Sequence, residues 1–155
     1  DFDKTNIIHN RKYLSILGFD ALSKNLTNKY LFNKINKTEV IIKQILLNQQ
    51  IIAGIGNIYA SEILFESKIS PFKKGKELKM HEISKLIVST RKILKRAIRY
   101  GGSSIKDYVA VDGTVGNFQS NFKVYGKAGE KISNCIIKKK ILHGRSTYYC
   151  PKLQK

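Results

Sequence analysis

Apolar residues fall at helical intervals from Thr38 onward, where Val40, Ile41, Ile45, Leu46 and Ile52 predict a helix with Thr38 as its N-cap. The run breaks at Gly54-Ile55-Gly56. Asn57 then reads as the N-cap of a second helix carrying Ile58, Ile63, Leu64 and Phe65, which Pro71 closes. A third helix is predicted from about His81 to Tyr100. Ile83, Leu86, Ile87, Ile93, Leu94, Ala97 and Ile98 form its apolar face, and Lys85, Arg91, Lys92, Lys95 and Arg99 load the remainder. Gly101-Gly102 supplies a left-handed stop. The opening, where Ile16, Leu17 and Leu22 bracket a Gly18 turn, reads as an irregular connector.

Beyond Gly102 the helical period disappears. "VDGTVGNFQSNFKVYGKAGE" reads as a Gly-rich loop followed by a short strand, Phe122 to Tyr125. "NCIIKKKILHGRSTYYCPK" predicts two strands about a His143-Gly144 turn. The pattern therefore predicts a mainly α fold: a connector over 1–19, a helical domain over 20–119 and a small β-hairpin module over 120–155.

Charge narrows the function. The 155 residues hold 29 Lys and Arg against 11 Asp and Glu, a net +18. So large an excess repels itself unless a polyanion offsets it, and nucleic acid is the commonest such partner. A blander source is a genome rich in A and T, whose codons favour Lys, Ile and Asn. Two cysteines, Cys135 and Cys150, exclude a disulfide-rich secreted scaffold. No apolar run approaches the roughly 18 residues of a membrane span, and no signal peptide is visible. The chain opens on Asp1 rather than Met, so a piece of a longer or processed protein is expected.

The glycine break carries the first candidate chemistry. Two helices joined so tightly cross at an angle and leave the second helix's N-terminus exposed. Gly54 and Gly56 permit positive φ and present no side chain to an approaching group. The free N–H groups and the helix dipole then make an anion site, to which Asn57 can add an amide donor and Lys43 a charge. The other reading is a plain helical corner whose glycines only permit close packing. Arg145, beside the hairpin turn, has two readings also: a rigidly presented phosphate contact or a solvated turn residue.

A resemblance covers the chain from Leu14 onward. "IIKQILLNQQIIAGIGNIYASEILFESKISP" is similar to the helix–two-turn–helix segment of formamidopyrimidine-DNA glycosylase and endonuclease VIII, bacterial base-excision repair enzymes. "GGSSIKDY", "DGTVGNFQSNFKVYGKAGE" and "GRSTYYCPKLQK" follow in the same order, and the "VYGKAGE" form favours the formamidopyrimidine type. The resemblance implies that Lys43, Gly56 and Asn57 meet the phosphates flanking a damaged nucleotide. It implies that Ser103, Ser104, Gly113, Thr114, Val115 and Gly116 belong to a lesion-recognition loop reading an everted oxidised purine. It makes Arg145 the finger arginine that enters at the lesion and assists strand cleavage.

Two departures from the family follow. Its finger holds zinc through two Cys-x-x-Cys pairs, and the matching positions here are Ile132, Cys135, Cys150 and Leu153. Ile132 and Leu153 have no lone pair to give, so no metal and no cofactor is expected. The finger is expected either to pack without zinc or to fray, and a reducing cytoplasm argues against a Cys135–Cys150 disulfide. The second departure is that the family's nucleophilic N-terminal proline, with its neighbouring glutamate, belongs to a β-sandwich preceding Asp1. The 155 residues alone are thus expected to be inactive while keeping DNA affinity. Damaged double-stranded DNA is the expected partner of a monomer, together with its own missing N-terminal domain, in the bacterial cytoplasm at the nucleoid. The competing expectation is a non-catalytic nucleic-acid-binding module or remnant.

Overall fold

The computed structural model describes residues 15–102 and 117–155. Short β1 (Phe19–Asp20) pairs in parallel with β2 (Ile52–Ala53), so the expected connector is partly a strand. At Gly18 any side chain would collide with the Ile51 carbonyl, which makes the residue a point of close approach rather than a turn. Helix α1 (Asn28–Ile35), absent from the sequence expectation, starts where the Thr27 hydroxyl accepts the Tyr30 N–H at 3.1 Å. It buries Leu31 and Ile35.

Helix α2 spans only Ile42–Leu47. Thr38 is not its cap. The Thr38 hydroxyl accepts the Val40 N–H at 3.2 Å, and Ile41 forms an antiparallel bridge with Lys74 that holds the preceding segment extended. Nor does the helix reach Ile52, which lies in β2. Helix α3 (Asn57–Ser67) is capped by the backbone of Gly56, with Asn57 its first helical residue rather than its N-cap. Lys68 in the left-handed region ends it, and the Ile69 N–H returns to the Leu64 carbonyl at 3.0 Å.

Helix α4 (Met80–Arg99) fits the predicted span within a residue at each end. Glu82 opens it by accepting the Lys79 N–H at 3.0 Å. Gly101 and Gly102, at φ +72° and +81°, close it by returning N–H groups to Ile98 and Ala97. Ile83, Leu86, Ile87, Ile93 and Ala97 are buried against α1 and α3 in one hydrophobic core. Ile98 departs from expectation at 65% exposed.

The expected strand Phe122–Tyr125 does not form. A 3₁₀ turn, Phe118–Asn121, sends Phe118 and Phe122 into the core. The buried Glu62 carboxylate of α3 then takes the N–H groups of Lys123, Val124 and Tyr125 at 2.9, 3.0 and 2.9 Å. Those donors are satisfied without a neighbouring strand. Two hairpins complete the chain: β3 (Lys131–Ile132) with β4 (Cys135–Ile136), and β5 (Lys138–Leu142) with β6 (Arg145–Tyr149). His143 and Gly144, both at positive φ, make the two-residue turn of the second, as predicted.

Cys135 and Cys150 are joined as a disulfide with Cα atoms 6.1 Å apart, contrary to the expectation drawn from a reducing cytoplasm. Hairpin pairing brings the two arms together, and Ile132 and Leu153 put no ligand between the sulfurs. Among the described residues no helix is long and apolar enough to cross a membrane.

Candidate nucleic-acid interface

The corner before α3 is built by Gln49. Its amide oxygen accepts the Gly54 N–H at 2.8 Å, and its nitrogen donates to the Ile55 carbonyl at 3.0 Å. Gly54 takes φ +94°, as a corner this tight requires. Gly56 does not use positive φ. Its backbone is extended (φ −99°, ψ 175°), and a Cβ there would meet no atom within 4 Å. The helix start is therefore open. It has no side-chain cap and no acidic residue in its first turn, so no side chain of the helix offsets the positive end of its dipole beside the exposed Gly56.

Asn57 faces the finger. Its amide nitrogen donates to the Ser146 carbonyl at 3.0 Å, while its amide oxygen is buried without a hydrogen-bond partner. Lys43 is buried as well, at 1% exposure, with its ammonium pointing at the same strand. It donates to Ser61 Oγ at 3.2 Å, Thr147 Oγ1 at 3.2 Å and the Ser146 carbonyl at 3.4 Å. Burial chiefly, and the nearby Arg145 charge next, bring its pKa down from 10.5 to about 8. Lys43 and Asn57, assigned to phosphates from the sequence, thus converge on one carbonyl of β6.

Arg145 stands immediately before that carbonyl. It is exposed, and among the described residues it forms no ion pair. A cleft of about 300 Å³ separates α2 from the hairpin, with Lys43, Gln44 and Asn48 on one wall and His143 and Arg145 on the other. The structure therefore brings Gly56, Asn57, Lys43 and Arg145 to one place. Ser103, Ser104, Gly113, Thr114, Val115 and Gly116 lie outside the described residues. The flanks of that segment are tied together, since Asn117 N–H donates to the Tyr100 carbonyl at 3.1 Å and Phe118 N–H to the Gly102 carbonyl at 3.0 Å.

The sequence reading missed Gln49, Glu62 and Gln154. Gln154 is buried at the chain's end, where its side chain accepts the Cys150 N–H at 2.7 Å and donates to the Ile69 carbonyl at 2.9 Å. A polar residue inside an otherwise apolar stretch, as Glu62 is in "IYASEILF", was the available signal. The finger's two cysteines, Cys135 and Cys150, are bonded to each other, and the described residues contain no group of three His, Cys, Asp or Glu placed to hold a metal.

A family model described as the formamidopyrimidine-DNA glycosylase H2TH domain matches residues 17–109. The chain belongs to that family. It is 42% identical over 156 residues to the formamidopyrimidine-DNA glycosylase of Zymomonas mobilis, covering 100% of this chain and 58% of the relative. It is 42% identical over 154 residues to that of Rickettsia canadensis, covering 97% and 56%. Among solved structures, the MutM (Fpg) protein of Thermus thermophilus superposes with a TM-score of 0.87 at 33% identity, covering 94% of this chain and 57% of that one. Lactococcus lactis Fpg, in complex with DNA containing an abasic site, gives 0.87 at 37% identity, covering 97% and 56%. The chain spans a little over half the length of these relatives and matches their C-terminal part.

Proposed function

We propose that these residues are the DNA-gripping part of a formamidopyrimidine-type DNA glycosylase and AP lyase, acting in base excision repair on oxidised purines in duplex DNA. The observation that carries this reading is the open, uncapped start of α3 at Gly56 lying beside the exposed Arg145. The helix start offers backbone N–H groups to one phosphate, and the guanidinium offers a bidentate fork to another or enters the space left by an everted nucleotide. The net +18 supplies the long-range attraction. The segment 103–116, which the resemblance assigns to a lesion-recognition loop, would read the everted base. Arg145 would assist strand cleavage by stabilising charge on the departing phosphate. The finger works without zinc in this reading, and the protein acts as a monomer on nucleoid DNA in the cytoplasm.

Anisotropy titration of the 155-residue chain against a duplex carrying an abasic-site analogue tests the proposal. With about five phosphates engaged, log affinity falls against log salt with a slope near −4.5. Arg145→Ala weakens binding and makes the slope shallower by about 1. A flat salt response would overturn DNA binding, and stoichiometric zinc in the purified chain would overturn the zinc-free finger.

A further inference from the structure

We infer that Lys43 is a positioning residue: its buried ammonium clamps the start of β6 onto α2 and α3, and it acts on DNA through Arg145 rather than by touching phosphate. This rests on the DNA-binding reading above.

The geometry argues for a clamp. An ammonium has three donors and no acceptor, and three oxygens surround this one. Ser61 comes from α3, while the Ser146 carbonyl and Thr147 hydroxyl come from β6. The Ser61 hydroxyl donates to the Asn57 carbonyl at 3.3 Å, so it meets Lys43 as an acceptor. The Ser146 carbonyl also accepts from Asn57, which holds the strand from a second direction. Side chains two apart on a strand share a face, so Arg145 leaves β6 on the side of Thr147, toward α2. Fixing residues 146 and 147 therefore aims Arg145.

Charge says that this clamp is not there for stability. No carboxylate among the described residues pairs with Lys43. The groups around it are neutral Gln44 from α2 and Asn48 at its end, neutral Ser61 from α3, Asn57 on the shared Ser146 carbonyl, and Thr147, His143 and Arg145 from the hairpin. A buried cation whose charged neighbour is another cation costs stability that an apolar side chain of similar length would not. With a pKa near 8 in the fold against 10.5 ordinarily, Lys43 holds fewer protons folded than unfolded between those values. Its penalty is full below pH 8 and fades as pH rises to 10.5, so stability climbs across that window.

The test uses Lys43→Met, Arg145→Ala and the double variant, with affinity for the abasic-analogue duplex, its salt slope and Tm measured from pH 7 to 10.5. Lys43→Met should raise Tm at pH 7, remove the climb between pH 8 and 10.5, and still weaken DNA binding about tenfold. In the Arg145→Ala background the same substitution should change neither affinity nor slope, because the residue it positions is gone. Additive losses, with the slope shallower by about a further 1, would mean that Lys43 meets phosphate directly and would overturn the inference. Lys43→Gln keeps two donors and should restore part of the affinity. Should both Lys43 variants unfold, the residue is a structural pillar and the inference fails. Absence of wild-type binding would instead sink the DNA-binding reading itself.

Discussion

The helical region and the finger are stabilised by different means. Residues 26–97 bury Leu31, Ile35, Ile63, Leu64, Leu86 and Ile87 in one core, and secondary structure follows from that burial. The finger has hardly any interior: from Lys127 onward the buried residues are Cys135, Ile137, Thr147, Cys150 and Gln154. Strands this short need a staple or a partner surface, and here the Cys135–Cys150 disulfide ties the arms to each other but not to the helices. What holds them is borrowed. Glu62 and Asn57 reach out from the helices, and Gln154 reaches back to Ile69. Phe72 meets Tyr149 edge-on, with ring centroids 4.8 Å apart. A hydrophobic core tolerates small losses because many contacts share the load, whereas a docked module depends on a few polar anchors. The finger's place on the helices therefore depends on those anchors staying intact.

The sharpest way to break this contrast is Glu62→Ala. It strands three backbone donors, one fully buried and two partly so, and leaves a hole beneath the finger's approach. A loss of about 4 kcal/mol is expected. Native-state hydrogen exchange should show β5 and β6 amides losing protection while α4 keeps its own. Equal loss in both regions would mean that finger and helices unfold as one, and the distinction would collapse. Glu62→Gln keeps one carbonyl oxygen for the Val124 and Tyr125 amides but turns an NH₂ toward Lys123, so it should recover only part of the loss.

Gln154→Ala comes next. It leaves the Cys150 N–H buried and unpaired and cuts the side-chain link to the Ile69 carbonyl. About 2 kcal/mol is expected. Backbone bonds nearby, from Ser70 N–H to Lys155 and from Lys155 N–H to Lys68, limit the damage to the finger's end. Loss of protection at Cys150 and its neighbours, with the α3 start unchanged, would sharpen the comparison. No change at the finger would show that those backbone bonds suffice.

The same division explains what could be read from the sequence. Helix α4 was legible because a 20-residue amphipathic run between a usable start and two glycines leaves little choice. The His143-Gly144 hairpin was legible because a two-residue turn has a strong local signature. Helix α1 was missed although Thr27, Leu31 and Ile35 carry its cap and its stripe, for its eight residues give a weak period. Thr38 misled because its hydroxyl serves a local turn, a competition invisible without the bridge from Ile41 to Lys74. Lys43, Asn57 and Arg145 do gather in one place, but the way the first two point was not legible. No spacing rule says that Lys43 and Asn57 face β6, because the contacts join residues 89 to 104 positions apart.

The smallest effect belongs to the helical region's surface. Glu39 is bonded to Lys74 at 2.7 Å and also to Lys76, all three well exposed. These two lysines, first by hydrogen bonding and then by charge, hold its carboxyl at about 2 against an ordinary 4.5. A carboxylate with a lowered folded pKa adds stability that is full above 4.5 and is lost as pH falls toward 2. Water and salt screen exposed pairs, and two lysines must give up rotamer freedom to hold one acid. Glu39→Gln should therefore move Tm slightly downward at neutral pH in low salt, and not at all at about 1 M salt or at pH 2. The finger should not respond under any of these conditions, because Glu39, just ahead of α2, pairs with Lys74 and Lys76 from the segment between α3 and α4 and with no residue of β5 or β6. A finger that loosened with Glu39→Gln would show that surface charge, and not the buried anchors, sets its docking.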